Sequence, residues 1–312
     1  MAESLAFHQR HLITMEGLSR DEIEAILAVA RSFRELNERD IKKSPSLRGR
    51  TVINLFFENS TRTRSSFEIA GKRLSADVIN ISASGSSTTK GETLLDTAAN
   101  LQAMVPDVVV VRHAQGGACE FLTRHLECSI VNAGDGRHEH PTQALLDLLT
   151  MHDHIGDWAD KTIAIVGDVT HSRVARSNLI ALKTLGAHTR VVAPPTLLPR
   201  DVQNYGCEVH YDLERGIAGA DVVMVLRLQR ERMQGSFIPS INEYFNMYGI
   251  NRDRLHRMAP GALVMHPGPI NRGVELASDA ADGPESLVLE QVKNGVAVRM
   301  AVLHLLGQGT GI

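Results

Sequence analysis

Cysteine is scarce in this chain of 312 residues, with Cys119, Cys128 and Cys207 the only three. So few, so scattered, they exclude a disulfide framework and a four-ligand zinc site; they fit core thiols in a reducing cytoplasm. No apolar run reaches the roughly 18 residues of a membrane-spanning helix. The first residues, Met-Ala-Glu-Ser-Leu-Ala-Phe-His-Gln-Arg, lack the basic segment and apolar core of a leader. A soluble, cytoplasmic protein is expected. Neither sign of charge dominates, since 33 Lys and Arg stand against 36 Asp and Glu for a formal net charge of −3. That balance gives no general pull toward nucleic acid or an anionic membrane, so any basic site must be local. Internal repeats are missing, and the one low-complexity stretch is Ser82-Ala-Ser-Gly-Ser-Ser-Thr-Thr89.

Two further absences concern cofactors. The stretch Gly167-Asp168-Val-Thr-His-Ser-Arg173 sits where a dinucleotide fingerprint would sit but lacks G-x-G-x-x-G, and G-x-x-x-x-G-K-[ST] occurs nowhere. Nucleotide binding is disfavoured. His138, His140, His152 and His154 repeat a His-x-His spacing, yet i, i+2 places two side chains on opposite sides of a helix. No adjoining carboxylate–cysteine set completes a site, so neither a metal nor a cofactor is expected.

What is present is more telling. Ser60-Thr61-Arg62-Thr63-Arg64 follows the apolar run at residues 51–57, placing hydroxyls and two guanidinium groups where a buried strand hands over to a helix. Backbone N–H groups and the helix dipole already favour an anion at such a junction. Arg adds a planar fork that pairs with phosphate oxygens, and Ser and Thr add short neutral donors. An ordinary helix cap needs one Ser or Thr and does not account for Arg62.

Periodicity gives the organisation. Ser19-Arg-Asp-Glu22 is a capping-box pattern, and Ile23, Ile26, Leu27, Ala30 and Phe33 follow at helical spacing. Residues 51–57, 77–81, 107–111 and 129–132 read as strands. Phe67, Ala70 and Leu74 mark one intervening helix, and Leu94, Ala98, Leu101 and Val105 another. A helix opens at His140-Pro141 and runs toward His152. After the break Ile155-Gly-Asp-Trp158 the alternation restarts, with strands at 161–166, 189–193, 221–226 and 262–265. This is parallel α/β architecture in two domains hinged near residues 140–155. A last helix carries Leu289, Val292, Val296, Met300 and Leu303 on one face and is long enough to pack back on the first domain.

Open parallel sheets bind ligands at the carboxyl ends of their strands. Arg62, Arg112, Arg173 and Arg227 all fall there. So do the loop ending in His138-Glu-His-Pro-Thr-Gln143, the segment Arg227-Leu-Gln229 and the turn His266-Pro-Gly-Pro269. Singly, each Arg could be a surface ion-pair partner, His140 a helix cap or buried polar residue, and the Pro-Gly-Pro turn only a rigid turn. Together, four guanidiniums in one crevice call for several negative charges on the ligands, such as a phosphate and a dicarboxylate. Gln143 shares a helical face with His140, so both could address one small carbonyl or amide. Arg227 and Gln229 alternate onto one side of an extended segment and could grip one carboxylate.

Phe57-Glu-Asn-Ser-Thr-Arg-Thr-Arg64 resembles the signature of the aspartate and ornithine carbamoyltransferases. The resemblance continues, in the family's order, through Lys90-Gly-Glu-Thr93, Val111-Arg-His113, His140-Pro-Thr-Gln143, Gly167-Asp168…Arg173, Arg227-Leu-Gln229 and His266-Pro-Gly-Pro269. It covers residues 50–300. The Ser/Thr loop ending in Lys90-Gly-Glu-Thr93, with Arg227-Leu-Gln229 and His266-Pro-Gly-Pro269, points to the aspartate branch.

The resemblance implies an α/β fold of two doubly wound parallel-sheet domains with the active site in the cleft between them. Residues 1–142, completed by a C-terminal helix at 286–312, would bind carbamoyl phosphate, and residues 143–285 would bind aspartate. It assigns Ser60, Thr61, Arg62, Thr63, Ser86, Arg112, His140, Gln143, Gly268 and Pro269 to carbamoyl phosphate, and Lys90, Arg173, Arg227 and Gln229 to L-aspartate. His140, Arg112, Thr63 and Arg62 would be catalytic, the first three through the carbonyl oxygen. Ser86 and Lys90 would reach a neighbouring subunit's site, making the enzyme a homotrimer with shared active sites. The implied reaction gives N-carbamoyl-L-aspartate and phosphate in de novo pyrimidine biosynthesis, with no cofactor. A regulatory chain or a dihydroorotase is a possible partner in a larger assembly; nucleic acid and membrane are not. Two rivals stand beside it. A transcarbamoylase for ornithine or another amine would not call for this many acceptor-side arginines. A non-catalytic carbamoyl phosphate sensor would be expected to lose His140, Arg112 or Lys90, and all three are present.

Overall fold

A capping box starts the first helix, as the sequence pattern predicts: the Ser19 hydroxyl accepts from Glu22 N–H at 3.1 Å, and the Glu22 carboxylate accepts from Ser19 N–H at 3.0 Å. The computed structural model describes residues 7–82, 92–233 and 237–308. They fall into two compact units. One runs up to Leu146 and resumes at Lys293; the other is Asp147–Val292. Among the described residues no helix is long and apolar enough to cross a membrane.

The first unit contains α1 (Arg20–Leu36), β1 (Thr51–Phe56), α2 (Thr61–Arg73), β2 (Asp77–Ser82), α3 (Leu94–Ala103), β3 (Val108–His113), α4 (Ala118–Thr123), β4 (Ser129–Asp135) and the start of α5 (Pro141–Ile155). Its strands form one parallel sheet in the order β2-β1-β3-β4. The central strands are apolar on both faces because helices cover both. Val108, Val109, Val110 and Val111 are all fully buried, each worth about 1.5–3 kcal/mol relative to an exposed side chain. Edge strand β2 is largely exposed. At Gly71 of α2 any Cβ would stand 2.6 Å from Val78 Cγ2 of β2, so only glycine lets helix and strand approach this closely.

The second unit contains β5 (Thr162–Val166), α6 (Arg173–Leu185), β6 (His188–Val192), β7 (Glu208–His210), α7 (Leu213–Ile217), β8 (Val222–Val225), α8 (Ile241–Tyr248), α9 (Arg252–Met258), β9 (Leu263–Met265), α10 (Ser278–Ala281) and the start of α11 (Val288–Gly307). Its parallel sheet has the order β7-β6-β5-β8-β9. Each sheet therefore has one switch point where the winding reverses, between β1 and β3 in the first unit and between β5 and β8 in the second. A crevice for ligands opens at such points.

Three expectations need correcting. Val105, read as part of the α3 stripe, lies past the end of that helix and is 76% exposed. Strand β7 is absent from the sequence reading because three residues, Glu-Val-His, are too few to show a period. The stripe assigned to the last helix is wrong in its first half: Leu289 is 83% and Val292 51% exposed. Burial there falls on Gln291 and Asn294, two polar residues with specific partners. From Ala297 to Leu303 the helix is buried on every side, which leaves no single apolar face to read. Its end belongs to the first unit, where Ser129 Oγ donates to Leu306 C=O at 3.1 Å and Arg299 Nη1 donates to Ser66 Oγ at 2.9 Å. The three cysteines are buried and unbonded, and burial pushes the Cys128 thiol up to about 11.

Candidate active site

In the first unit the strand-end residues gather at the β1/β3 switch point. Ser60 is the N-cap of α2, yet its side chain makes no capping bond, and the first turn holds no acidic residue. Elsewhere the caps are used: Ser19, Thr93, Ser172 and Ser240 each accept a first-turn N–H. The start of α2 thus presents backbone donors and the positive end of the helix dipole to whatever lies before it. Thr61 and Arg62 are exposed there, and Thr63 is buried. On the neighbouring strand Arg112 pairs in register with Phe56. Its guanidinium is fixed from behind, with Nη1 donating to Ala133 C=O at 3.2 Å and Nε lying 3.3 Å from Glu58 Oε2.

His140 and Gln143 arrive from β4 through a loop built on buried carboxylates. Asp135, fully buried, accepts from Asn132 Nδ2 at 2.7 Å, Gly117 N–H at 2.8 Å and Glu139 N–H at 3.1 Å. Burial alone would raise its pKa, but donors from His138, Asn132 and Gly117 outweigh burial and hold it below the usual carboxylate range. Glu139 is anchored in turn, its carboxylate accepting from Met15 N–H at 2.9 Å and from the Thr14 hydroxyl. With the loop pinned at both ends, His140 and Gln143 stand buried at the start of α5, and Gln143 N–H donates to His140 C=O at 2.9 Å.

In the second unit the corresponding place is the β5/β8 switch point. Gly167, at φ +119°, makes the turn out of β5; a Cβ there would meet the Tyr244 hydroxyl at 3.0 Å and Leu226 C=O at 3.2 Å. Asp168 follows, fully buried. Its Oδ1 lies 2.8 Å from His171 Nδ1, and its Oδ2 accepts from Gln229 N–H at 3.2 Å. Ser172 caps α6, whose first residue is the buried Arg173. Arg227 and Gln229 leave β8 half-buried, and between them Leu228 N–H donates to Glu275 Oε2 at 3.4 Å.

Glu275 also orders the turn after β9. Its Oε1 accepts from Asn271 N–H at 2.6 Å and lies 3.2 Å from His266 Nε2. His266 Nδ1 accepts from Gly268 N–H at 2.8 Å, so the proton of the neutral ring sits on Nε2, facing Glu275. A further chain fixes His266 from below: its N–H donates to Gln291 Oε1 at 3.0 Å, and Gln291 Nε2 donates to Asp147 Oδ1 at 2.7 Å. Gly268 is at φ +65°, and Pro269 beside it is exposed.

Within each unit, then, the residues singled out from sequence share one end of one sheet. Ser60, Thr61, Arg62, Thr63, Arg112, His140 and Gln143 do so in the first. Arg173, Arg227, Gln229, Gly268 and Pro269 do so in the second. Ser86 and Lys90 lie outside the described residues. The sequence reading missed the carboxylates Asp135, Glu139 and Glu275 beneath these loops and gave Asp168 no task. Their one signal was position, since each lies within a few residues of an assigned side chain or strand end.

Comparisons with known proteins match both halves of the chain to one family. Residues 10–153 match the family described as aspartate/ornithine carbamoyltransferase, carbamoyl-P binding domain, and residues 159–306 match its Asp/Orn binding domain. The chain is 61% identical to an aspartate carbamoyltransferase catalytic subunit of Magnetococcus marinus, over 98% of this chain and 95% of that one. It is 60% identical to the subunit of the same name from Methylorubrum extorquens, over 96% of each. Among solved structures, the aspartate transcarbamoylase of Trypanosoma cruzi in complex with N-(phosphonacetyl)-L-aspartic acid superposes with a TM-score of 0.87 at 33% identity, covering 96% of each chain. An ornithine carbamoyltransferase of Thermus thermophilus superposes with a TM-score of 0.85 at 25% identity, covering 96% of this chain and 99% of that one.

Proposed function

The chain belongs to the aspartate/ornithine carbamoyltransferase family, and from that premise we propose that its two switch points divide the labour of one group transfer. The enzyme is an aspartate carbamoyltransferase: it moves the carbamoyl group of carbamoyl phosphate to the amine of L-aspartate, giving N-carbamoyl-L-aspartate and phosphate. Its place is the de novo synthesis of pyrimidines.

The uncapped start of α2 is the observation that carries the donor assignment. A dianionic phosphate satisfies the first-turn N–H groups, with Ser60, Thr61, Arg62 and Thr63 around it and Arg112 opposite. As the aspartate amine attacks the carbamoyl carbon, the carbonyl oxygen gains negative charge. Thr63, Arg112 and His140 meet that charge as donors, and such donors are usually the largest catalytic contribution, about 3–4 kcal/mol for each one removed. His140 acts by hydrogen bonding, with no covalent intermediate. Gln143 and the backbone carbonyls at Gly268 and Pro269 hold the carbamoyl N–H₂. Phosphate leaves with its charge already matched, and it is itself a competent acceptor for the amine proton.

Arg173, Arg227 and Gln229 hold the two acceptor carboxylates, with Lys90 completing the set. Pinning of the 227–229 backbone by Asp168 and Glu275 supports this, because a carboxylate grip needs side chains held at fixed spacing. An ornithine side chain would bring a cation among these guanidiniums. Initial-rate assays with aspartate and with ornithine test the reading: carbamoylated aspartate is expected, and turnover with ornithine alone would overturn it.

Ser86 and Lys90 act in a neighbouring copy's site within a cytoplasmic homotrimer. The exposed edge strand β2, with Ile79 47% exposed, precedes them in the chain and is a surface fit for a second copy. A regulatory chain or a dihydroorotase is a further candidate partner. Mixing Lys90→Ala and Arg62→Ala subunits should restore activity through hybrids with one intact shared site; no recovery after exchange would count against sharing.

A further inference from the structure

A cavity of about 450 Å³ lies in the second unit beyond the carboxyl end of β6, walled by Pro194 and Pro195 on one side, Phe237 on another, and Tyr244 and Met247 of α8 on a third. Its size falls within the roughly 300–1,000 Å³ of small-molecule sites. The surface is almost wholly apolar, and two of the hydroxyls around it are engaged: Thr196 donates to Phe237 C=O and Tyr248 to Tyr211 C=O, both at 2.6 Å. One charge remains. Glu243 stands exposed at the rim and makes no ion pair among the described residues.

Two of the walls lead to the same carboxylate. The Phe237 ring meets His171 edge-on at 4.9 Å, and His171 Nδ1 lies 2.8 Å from Asp168 Oδ1. The Tyr244 hydroxyl abuts Gly167, the residue before Asp168. Asp168 in turn fixes Gln229 N–H at 3.2 Å. The cavity and the acceptor-holding segment thus share a buried support, one reached through its ring walls and the other through a hydrogen bond.

We propose that this cavity is an effector site for a small aromatic cation, linked to acceptor binding through Asp168. Flat rings suit walls of proline and aromatic side chains, and a positive group suits Glu243 at the mouth. A ligand there would hold Phe237 and Tyr244 in place, and with them the turn that fixes Gln229, so less ordering would remain for aspartate to impose. The linkage is reciprocal: aspartate would tighten effector binding by the same factor. The coupling rests on the assignment of Gln229 and Arg227 to the acceptor, whereas the site itself does not.

Phenethylamine is the probe, titrated into the intact enzyme with ¹³C-labelled methionine methyl groups. The Met247 methyl resonance should shift saturably, 3-phenylpropionate should bind at least about tenfold more weakly, and Met247→Trp should abolish binding by filling the space. Glu243→Gln should bring the two probes toward equal affinity. Saturating phenethylamine should lower the aspartate KM twofold or more and leave the carbamoyl phosphate KM as it is. Absence of a Met247 shift overturns the site, and a shift with no change in aspartate KM overturns the coupling. Failure to carbamoylate aspartate at all would instead refute the functional reading, and the methyl titration would still decide whether the site exists.

Discussion

Helices α2 and α6 begin in equivalent places, each following the first strand of a switch point and each with a serine at its N-cap, but the two serines behave differently. Ser172 accepts Ala175 N–H at 3.1 Å and closes the start of α6. Ser60 makes no such bond and leaves the start of α2 open. A compact dianion can be gathered by converging backbone donors, which fits the proposal that phosphate sits at the open start of α2. Two carboxylates on a flexible acceptor cannot be gathered at one point. On the proposed reading that side relies on guanidinium and amide side chains; the helix end there is sealed, and the backbone beneath them is pinned by Asp168 and Glu275. On that reading the same fold element, used twice, is tuned to its ligand by whether one hydroxyl turns inward.

Substitutions can break or sharpen this contrast. The largest effect should come from Arg62→Ala, which removes a charged donor from the open helix end. It should lower kcat and weaken carbamoyl phosphate together, with kcat/KM falling by about 10²–10³. By contrast Arg227→Ala should chiefly raise the aspartate KM, by about 10–100-fold, as expected for a lost charge-assisted contact. Equal aspartate saturation in this variant and the parent would erase the division of labour.

Glu275→Gln comes next. It puts an N–H₂ group among the donors of Leu228, Asn271 and His266, so the aspartate KM should rise several-fold while the carbamoyl phosphate KM holds. Unfolding in urea should show a loss of about 1–3 kcal/mol, the usual penalty for a buried donor left unmatched. A stability loss without the selective KM change would make Glu275 a structural residue only.

The smallest effect tests the caps themselves. Ser172→Ala should lower stability by about 1 kcal/mol, whereas Ser60→Ala should stay within about 0.5 kcal/mol and act on carbamoyl phosphate affinity instead. Equal losses of stability would mean that Ser60 caps after all.

Much of this was open to a reader of the sequence. Alternation of apolar runs with helical stripes gave eight of the nine strands among the described residues, because central parallel strands are apolar on both faces. Strand ends then pointed to Arg62, Arg112, Arg173 and Arg227 without coordinates. The supports beneath them were hidden. Asp135, Glu139 and Glu275 are letters that usually mark a solvated surface, and only the fold shows that they are buried and satisfied. The last helix misled for the opposite reason. Its end is surrounded by protein, so its pattern carries no direction, and Gln291 and Asn294 are buried by hydrogen bonding rather than by hydropathy.

That last helix also bears on biosynthesis. Its closing turns complete the first unit, with Leu303 near Gly71 and Gly307 against Leu47 and Val108, yet they are the last described part of the chain to leave the ribosome. The first unit therefore cannot complete its core until the chain of the second has been made. The second unit possesses all its strands while the first still lacks a wall of its core. An early stop just after Val292 would leave the acceptor unit whole and strand the donor unit half-built, its apolar interior open to chaperones and proteases.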